Sequence, residues 1–201
     1  MIKFNINDMQ VEAQEGWTVL ETARYYGIDI PTLCFHESVS PSGACRLCMV
    51  ELREGDWSKL VASCIYPVKK GINIYTESEK VSNVRRWIFE MLLADCPGSE
   101  TIRQMAKKYG VVSSRFSVLK PDNTCVVCGL CQRVCEEVVG LSAISVVSRG
   151  VHKTVGAPFM RPTDVCVACG SCVTVCPTDA MEKIFEQVRK SHSLPMAQLA
   201  S

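Results

Sequence analysis

The chain has 201 residues, 47% apolar and 21% charged, which describes a globular protein of one large or two small domains and excludes a disordered, collagen-like or large multidomain chain. Lys plus Arg number 22 against 21 Asp plus Glu, and a net charge of +1 leaves no surplus of cations for a nucleic-acid backbone or an anionic membrane surface. Thirteen cysteines stand beside three histidines; the odd count and the absence of a secretory pattern or membrane-length apolar run point to metal or redox chemistry in a cytoplasmic protein rather than to disulfides.

Residues 1–78 read as a small α/β unit. Alternation of Ile2, Phe4 and Ile6 with polar residues predicts a strand over 2–6, Asn7-Asp8 a turn, and 10–13 a return strand. Thr18-Val19-Leu20-Glu21 is a capping-box sequence opening a helix that Gly27 ends, and further strands are expected over 49–53, 60–64 and 72–76. Among these elements lie Cys34, Cys45, Cys48 and Cys64, spaced C-x10-C-x2-C-x15-C. Four thiolates can hold a [2Fe–2S] rhomb, and three on one loop with a distant fourth follow plant-ferredoxin logic, although that type has four residues in its first gap where this chain has ten. A loop cluster among these strands and one helix describes a β-grasp ferredoxin domain. His36 is read as a loop-surface residue, and His152 and His192 as exposed.

Residues 79–114 form a helical connector. Thr76 with Glu79 is read as the cap of a helix in which Val81, Val84, Ile88, Met91 and Leu92 recur at helical spacing, stopped by Cys96-Pro97-Gly98. Ser99 can cap a shorter helix that buries Ile102, Met105 and Ala106 before Gly110. The apolar stripe is read as packing between domains, Arg85-Arg86 as a solvated face, and 113–122 as a linker.

Residues 115–185 carry an internal repeat. Cys125-Val-Val-Cys128-Gly-Leu-Cys131-Gln-Arg-Val-Cys135 is echoed by Cys166-Val-Ala-Cys169-Gly-Ser-Cys172-Val-Thr-Val-Cys176, and Pro177 follows the second copy. Two runs of C-x2-C-x2-C-x3-C are the ligand pattern of a bacterial ferredoxin with two [4Fe–4S] cubanes, in which the fourth cysteine of each run ligates the other cluster. This assigns Cys125, Cys128, Cys131 and Cys176 to one cubane, and Cys166, Cys169, Cys172 and Cys135 to the second. Gly129 and Gly170 are expected where the backbone approaches sulfur and a Cβ would obstruct it. Zinc is the competing reading, but it takes four ligands from two pairs, whereas here three close cysteines are completed by a fourth, twice over. Residues 186–201 are read as a carboxy-terminal tail. The expected fold is thus α+β: a β-grasp [2Fe–2S] domain, a helical connector and a two-[4Fe–4S] ferredoxin-like domain.

In this order of sites the chain resembles, over residues 4–181, the amino-terminal electron-transfer module of the large peripheral-arm subunit of respiratory complex I. It is similar also to the small diaphorase iron–sulfur subunit of NAD-reducing hydrogenases, and related modules begin electron-bifurcating iron-only hydrogenases and some NAD-dependent formate dehydrogenases. Cys34-Phe35-His36 through Ala44-Cys45-Arg46-Leu47-Cys48-Met49-Val50-Glu51 looks like the family's [2Fe–2S] loop, and 125–177, with Glu136 and Glu137, like its two-cubane domain. Family members usually hold a further cubane on one histidine and three cysteines after the connecting helix. Here that place reads Leu92-Leu93-Ala94-Asp95-Cys96-Pro97-Gly98, so the third cubane is expected to be absent and Cys96 to be a packed thiol.

The resemblance implies an electron-relay subunit of a cytoplasmic, hetero-oligomeric, NAD(H)-linked oxidoreductase, between a flavin- and NAD-binding diaphorase subunit and a catalytic or ferredoxin-reactive subunit. No G-x-G-x-x-G follows a strand and no P-loop is present, so the chain shows no nucleotide site or catalytic site of its own. A free multi-cluster ferredoxin and an iron–sulfur sensor or structural protein are the alternatives. The ten-residue gap disfavours the iron–sulfur subunit of succinate dehydrogenase or fumarate reductase.

Overall fold

The computed structural model describes residues 1–160 and 163–189. Strands β1 (Ile2–Ile6) and β2 (Met9–Ala13) pair antiparallel across Asn7-Asp8, whose φ values of 49° and 64° are those of the tight hairpin turn that Asn and Asp tolerate. Helix α1 (Val19–Tyr25) starts on the expected capping box: the Thr18 hydroxyl accepts from the Glu21 amide at 3.2 Å, and the Glu21 carboxylate accepts from the Thr18 amide at 2.7 Å. β3 (Met49–Glu54), β4 (Trp57–Ala62) and β5 (Asn73–Tyr75) complete a five-stranded sheet of order β2-β1-β5-β3-β4, in which β1 and β5 are parallel. Ile6, Leu20, Val50 and Ile74 form its fully buried centre. β4 begins three residues before the expected Leu60 because the β3–β4 register pairs Glu54 with Trp57 across Gly55-Asp56. It ends at Ala62, which leaves Cys64 in the following turn.

Helices α2 (Glu79–Asp95) and α3 (Glu100–Lys108) follow. Ser78, not Thr76, caps α2, its hydroxyl accepting from the Val81 amide. Thr76 is engaged elsewhere: its hydroxyl accepts from Asn7 Nδ2 at 2.7 Å and its amide donates to Asn7 Oδ1 at 2.8 Å, tying the end of β5 to the β1–β2 turn. The two helices bury Ile88, Phe89, Leu93, Ile102 and Ala106 against Leu33 and Leu47 from the cysteine loop, so the connector shares a core with the first cysteine set. Arg85 departs from the expected solvated face. It is 3% exposed, and its guanidinium lies under that loop.

In the last third, α4 (Leu130–Arg133) runs into a π-helical turn over Val134–Val138. β6 (Ser145–Val147) and β7 (Thr154–Gly156) form a hairpin, and α5 (Ser171–Thr174) and α6 (Ala180–Arg189) close the unit. Leu130, Val134, Ile144, Val155, Val175 and Met181 form its core, together with Val39 from the first cysteine loop. The segment read as a carboxy-terminal tail falls, from residue 190 onward, outside the described residues, and His192 with it. Among the described residues no helix is long and apolar enough to cross a membrane.

Candidate metal centres

All thirteen cysteines are free thiols. In the amino-terminal set Cys34, Cys48 and Cys64 are buried and Cys45 is partly so. Arg46 at φ 60° and Gly43 at φ 64° coil the loop that carries Cys45 and Cys48; a Cβ at Gly43 would meet Ile65 Cδ1 at 2.8 Å. The four sulfurs fall into two pairs. Cys48 and Cys64 share a hydrogen bond with sulfurs 3.3 Å apart, far beyond the ~2.05 Å of a disulfide. Cys34 and Cys45 share the other, and the Cys45 amide also donates to Cys34 Sγ at 3.4 Å. The side-chain hydrogen bond shared with Cys45 pulls Cys34 down to about 5 and that shared with Cys64 pulls Cys48 down to about 6, while Cys45 and Cys64 are pushed up. Two pairs of cysteine sulfurs suit a rhomb, in which each iron takes two protein ligands.

The two carboxy-terminal runs curl alike. Val127 and Ala168, at matching places in the repeat, have φ of 49° and 55°, and Gly129 and Gly170 have φ of 75° and 78°. Left-handed residues of this kind turn backbone N–H groups inward as an anion-binding nest. The Val127 amide donates to Cys125 Sγ at 3.4 Å and the Ala143 amide to Cys135 Sγ at 3.3 Å. The expected reason for the glycines needs correcting: a Cβ at Gly129 or Gly170 would meet nothing within 4 Å, so backbone conformation and not crowding selects glycine there.

Cys135, Cys166, Cys169 and Cys172 line one narrow cavity. Cys125 and Cys128 of the other set lie close to Cys176, the fourth cysteine of the second run. Burial first, and then the charges of Cys176 and Cys125, push Cys128 up to about 11. Burial and then Cys128 and Cys125 push Cys131 up to about 12. In both places the fourth cysteine of one run stands beside cysteines of the other. Desolvated thiols crowded by neighbouring sulfur charge are chemically suited to iron, whose positive charge compensates them. Among the described residues no three His, Cys, Asp or Glu side chains close on a single ion position.

The sets adjoin one another. Cys45 and Cys128 line one cleft with Ala44, Val126 and Val127. Arg133, between Cys131 and Cys135, donates from Nη2 to the Cys34 carbonyl at 2.7 Å and from Nη1 to the Ser40 carbonyl, while Glu137 accepts from the Ser40 amide at 2.6 Å. Cys169 is exposed, with exposed Val165 and Val167 close by in the same run.

Sequence reasoning passed over Arg133, Val127 and Ala168, and read Arg85 as solvated. The usable signal for Arg133 was asymmetry in the repeat, since the second copy has Thr174 in that place. Cys96 is fully buried, its thiol donating to the Cys125 carbonyl at 3.0 Å, and burial pushes it well above the ordinary thiol range. Asn123 Nδ2 braces the same point, donating to the Asp95 and Cys125 carbonyls at 2.6 and 3.1 Å. His36 Nδ1 accepts from the Ser38 amide at 3.2 Å and shapes its own turn; His152 is exposed.

Comparison with known proteins finds iron–sulfur domains of two kinds over these regions. Residues 1–79 match the 2Fe-2S iron-sulfur cluster binding domain family, and residues 124–180 the 4Fe-4S dicluster domain family. The chain is 37% identical over 173 residues to the alpha subunit of the NADPH-Fe(3+) oxidoreductase of Geobacter sulfurreducens, covering 75% of this chain and 20% of that one. It is 32% identical over 178 residues to a subunit of the NADH-quinone oxidoreductase of Rickettsia felis, covering 77% of this chain and 26% of that one. The chain thus spans about a fifth to a quarter of these curated relatives. A chain in the crystal structure of an NAD+-reducing [NiFe]-hydrogenase in the H2-reduced state superposes with a TM-score of 0.69 at 30% identity, over 78% of this chain and 74% of that one.

Proposed function

The chain belongs to the iron–sulfur family that contains the amino-terminal part of this NADH-quinone oxidoreductase subunit and the matching hydrogenase chain, and from that membership we propose that it is an electron-relay subunit of an NAD(H)-linked oxidoreductase complex. In this reading residues 1–78 hold one [2Fe–2S] cluster on Cys34, Cys45, Cys48 and Cys64, 79–114 connect, and 115–185 hold two [4Fe–4S] clusters. Cys125, Cys128, Cys131 and Cys176 ligate one cubane, and Cys135, Cys166, Cys169 and Cys172 the other. When bound, such clusters supply outer-sphere one-electron transfer.

The observation that carries the proposal is the single cleft shared by Cys45 of the first set and Cys128 of the second. Arg133 and Glu137 hold those two parts of the chain together, and Cys34, Cys48, Cys64, Cys131, Cys135 and Cys172 are buried. Exposed Cys169 offers a surface terminus. Its neighbours Val165 and Val167, with Phe159 at 93% exposure and Trp87 at 46%, favour a subunit with covered faces over a freely diffusing carrier. We place a flavin- and NAD-binding diaphorase subunit on one side of the relay and a catalytic oxidoreductase subunit on the other, in the cytoplasm.

The test uses the full chain purified without oxygen. Dithionite should reduce it, and NADH should not until a flavoprotein diaphorase is added. Stoichiometric NADH binding, or reduction by NADH without that partner, would overturn the proposal.

A further inference from the structure

We propose that Arg85 is the built-in counter-charge of the amino-terminal cluster site, a positioning residue that sets the potential of the cluster from the connector helix. This rests on the reading of Cys34, Cys45, Cys48 and Cys64 as a [2Fe–2S] site.

Arg85 is 3% exposed, in the middle of α2. Its Nε donates to the Leu47 carbonyl at 3.2 Å and its Nη2 to the Met49 carbonyl at 3.0 Å. These two carbonyls flank Cys48, whose Sγ is paired with that of Cys64. The guanidinium fork therefore grips the peptide units on both sides of one ligand. A single helix residue thereby ties the connector to the metal loop.

Its charge is the larger puzzle. A buried cation is costly unless an anion answers it. Among the described residues no carboxylate oxygen lies within 4.0 Å of the Arg85 guanidinium, although five other ion pairs meet that distance. The groups that face it are the Tyr109 ring, with its centroid 5.9 Å away, the exposed Glu77, and the sulfur of Cys48. Of these only the Cys48 sulfur lies inside the same buried region. A rhomb held by four thiolates is a net anion whose negative charge grows by one on reduction. A fixed, buried cation beside it favours the reduced form more than the oxidised one, which raises the potential; net charge and hydrogen bonding are among the terms that set it. Arginine suits the place because its planar fork reaches both carbonyls at once, where lysine offers a single point charge.

The test is an anaerobic redox titration of the full, cluster-loaded chain, following the electron paramagnetic resonance signal of the reduced [2Fe–2S] cluster, for the unsubstituted protein, Arg85→Lys and Arg85→Gln. In Arg85→Gln the one-electron equilibrium should fall at least tenfold, about 59 mV, with the cubane signals unmoved. Arg85→Lys should keep most of the original potential. If the Gln chain loads no rhomb, the Lys chain decides: a retained signal at near-original potential supports the role of charge, and loss equal to that in the Gln chain overturns it. An unchanged potential in Arg85→Gln also overturns it. Absence of any [2Fe–2S] signal from the unsubstituted, iron-loaded chain removes the underlying reading of the four cysteines instead.

Discussion

Arg133 Nη2 donates to the backbone carbonyl of Cys34 at 2.7 Å, so a residue lying between ligands of the two carboxy-terminal sets holds the peptide of a ligand in the first. Its Nη1 bond to the Ser40 carbonyl, the Glu137 bond to the Ser40 amide and the burial of Val39 make the same junction. Charge-assisted bonds to backbone are worth about 1.5–3 kcal/mol each when partly shielded, and of the two only the bond to Cys34 is, so Arg133→Ala should weaken this junction by roughly 1.5–3 kcal/mol. Amide hydrogen exchange at residues 39–40 of the loaded chain should accelerate while the β1–β2 hairpin stays protected. Equal exchange at 39–40 in both chains would remove Arg133 from this role.

The two loops store backbone strain at matching places. Gly129→Ala meets no atom within 4 Å, so its cost should be that of a left-handed alanine alone, about 1–2 kcal/mol, with all cluster signals retained. Val127→Gly should go the other way and relieve the φ of 49° that a β-branched residue tolerates poorly. Denaturation midpoints of the two variants should move in opposite directions. Movement in the same direction would mean that side-chain packing, not φ, governs this loop.

Cys96 lies against Cys125 without belonging to any set of four. Cys96→Ser can still donate to the Cys125 carbonyl and should leave iron content and the spectrum of the reduced protein unchanged. Cys135→Ser should damage the cubane assigned to the second run. A Cys96 variant lacking about four irons would establish a further cubane and enlarge the count of sites.

Glu51 is 2% exposed and accepts from Arg53 Nη2 at 2.8 Å with Lys80 Nζ at 3.3 Å, and the Arg53 hydrogen bond foremost holds its carboxyl down to about 2. A carboxylate whose folded pKa lies below its unfolded value adds stability above the unfolded pKa and loses it as pH falls toward the folded one. The gap in denaturation midpoint between the unsubstituted chain and Glu51→Gln should therefore be full near about pH 6 and shrink steadily below about pH 4.5. A gap independent of pH would show that Glu51 acts through packing alone.

What could be read from sequence followed from local rules. The Asn7-Asp8 turn, the Thr18–Glu21 capping box and the alternating Phe4 and Ile6 each report a backbone preference set by near neighbours. Cysteine spacing was equally legible, because a cluster constrains ligand separation directly. Arg85 and Arg133 were opaque because a lone arginine in a helical pattern looks solvated until its carbonyl partners, 36 to 99 residues away in the chain, are known. The cap of α2 was misread for the same reason. Thr76 and Ser78 both suit the position, and a contact with Asn7, 69 residues earlier, withdraws Thr76.

The central claim is that twelve of the thirteen cysteines serve three complete cluster sites. It is met most directly by iron, sulfide and zinc analysis of the full chain purified without oxygen, with electron paramagnetic resonance after dithionite reduction. The account requires about ten irons and ten acid-labile sulfides per chain, little zinc, and spectra of one [2Fe–2S] and two [4Fe–4S] clusters. Stoichiometric zinc with little iron, or a chain in which either cubane is absent, would contradict it.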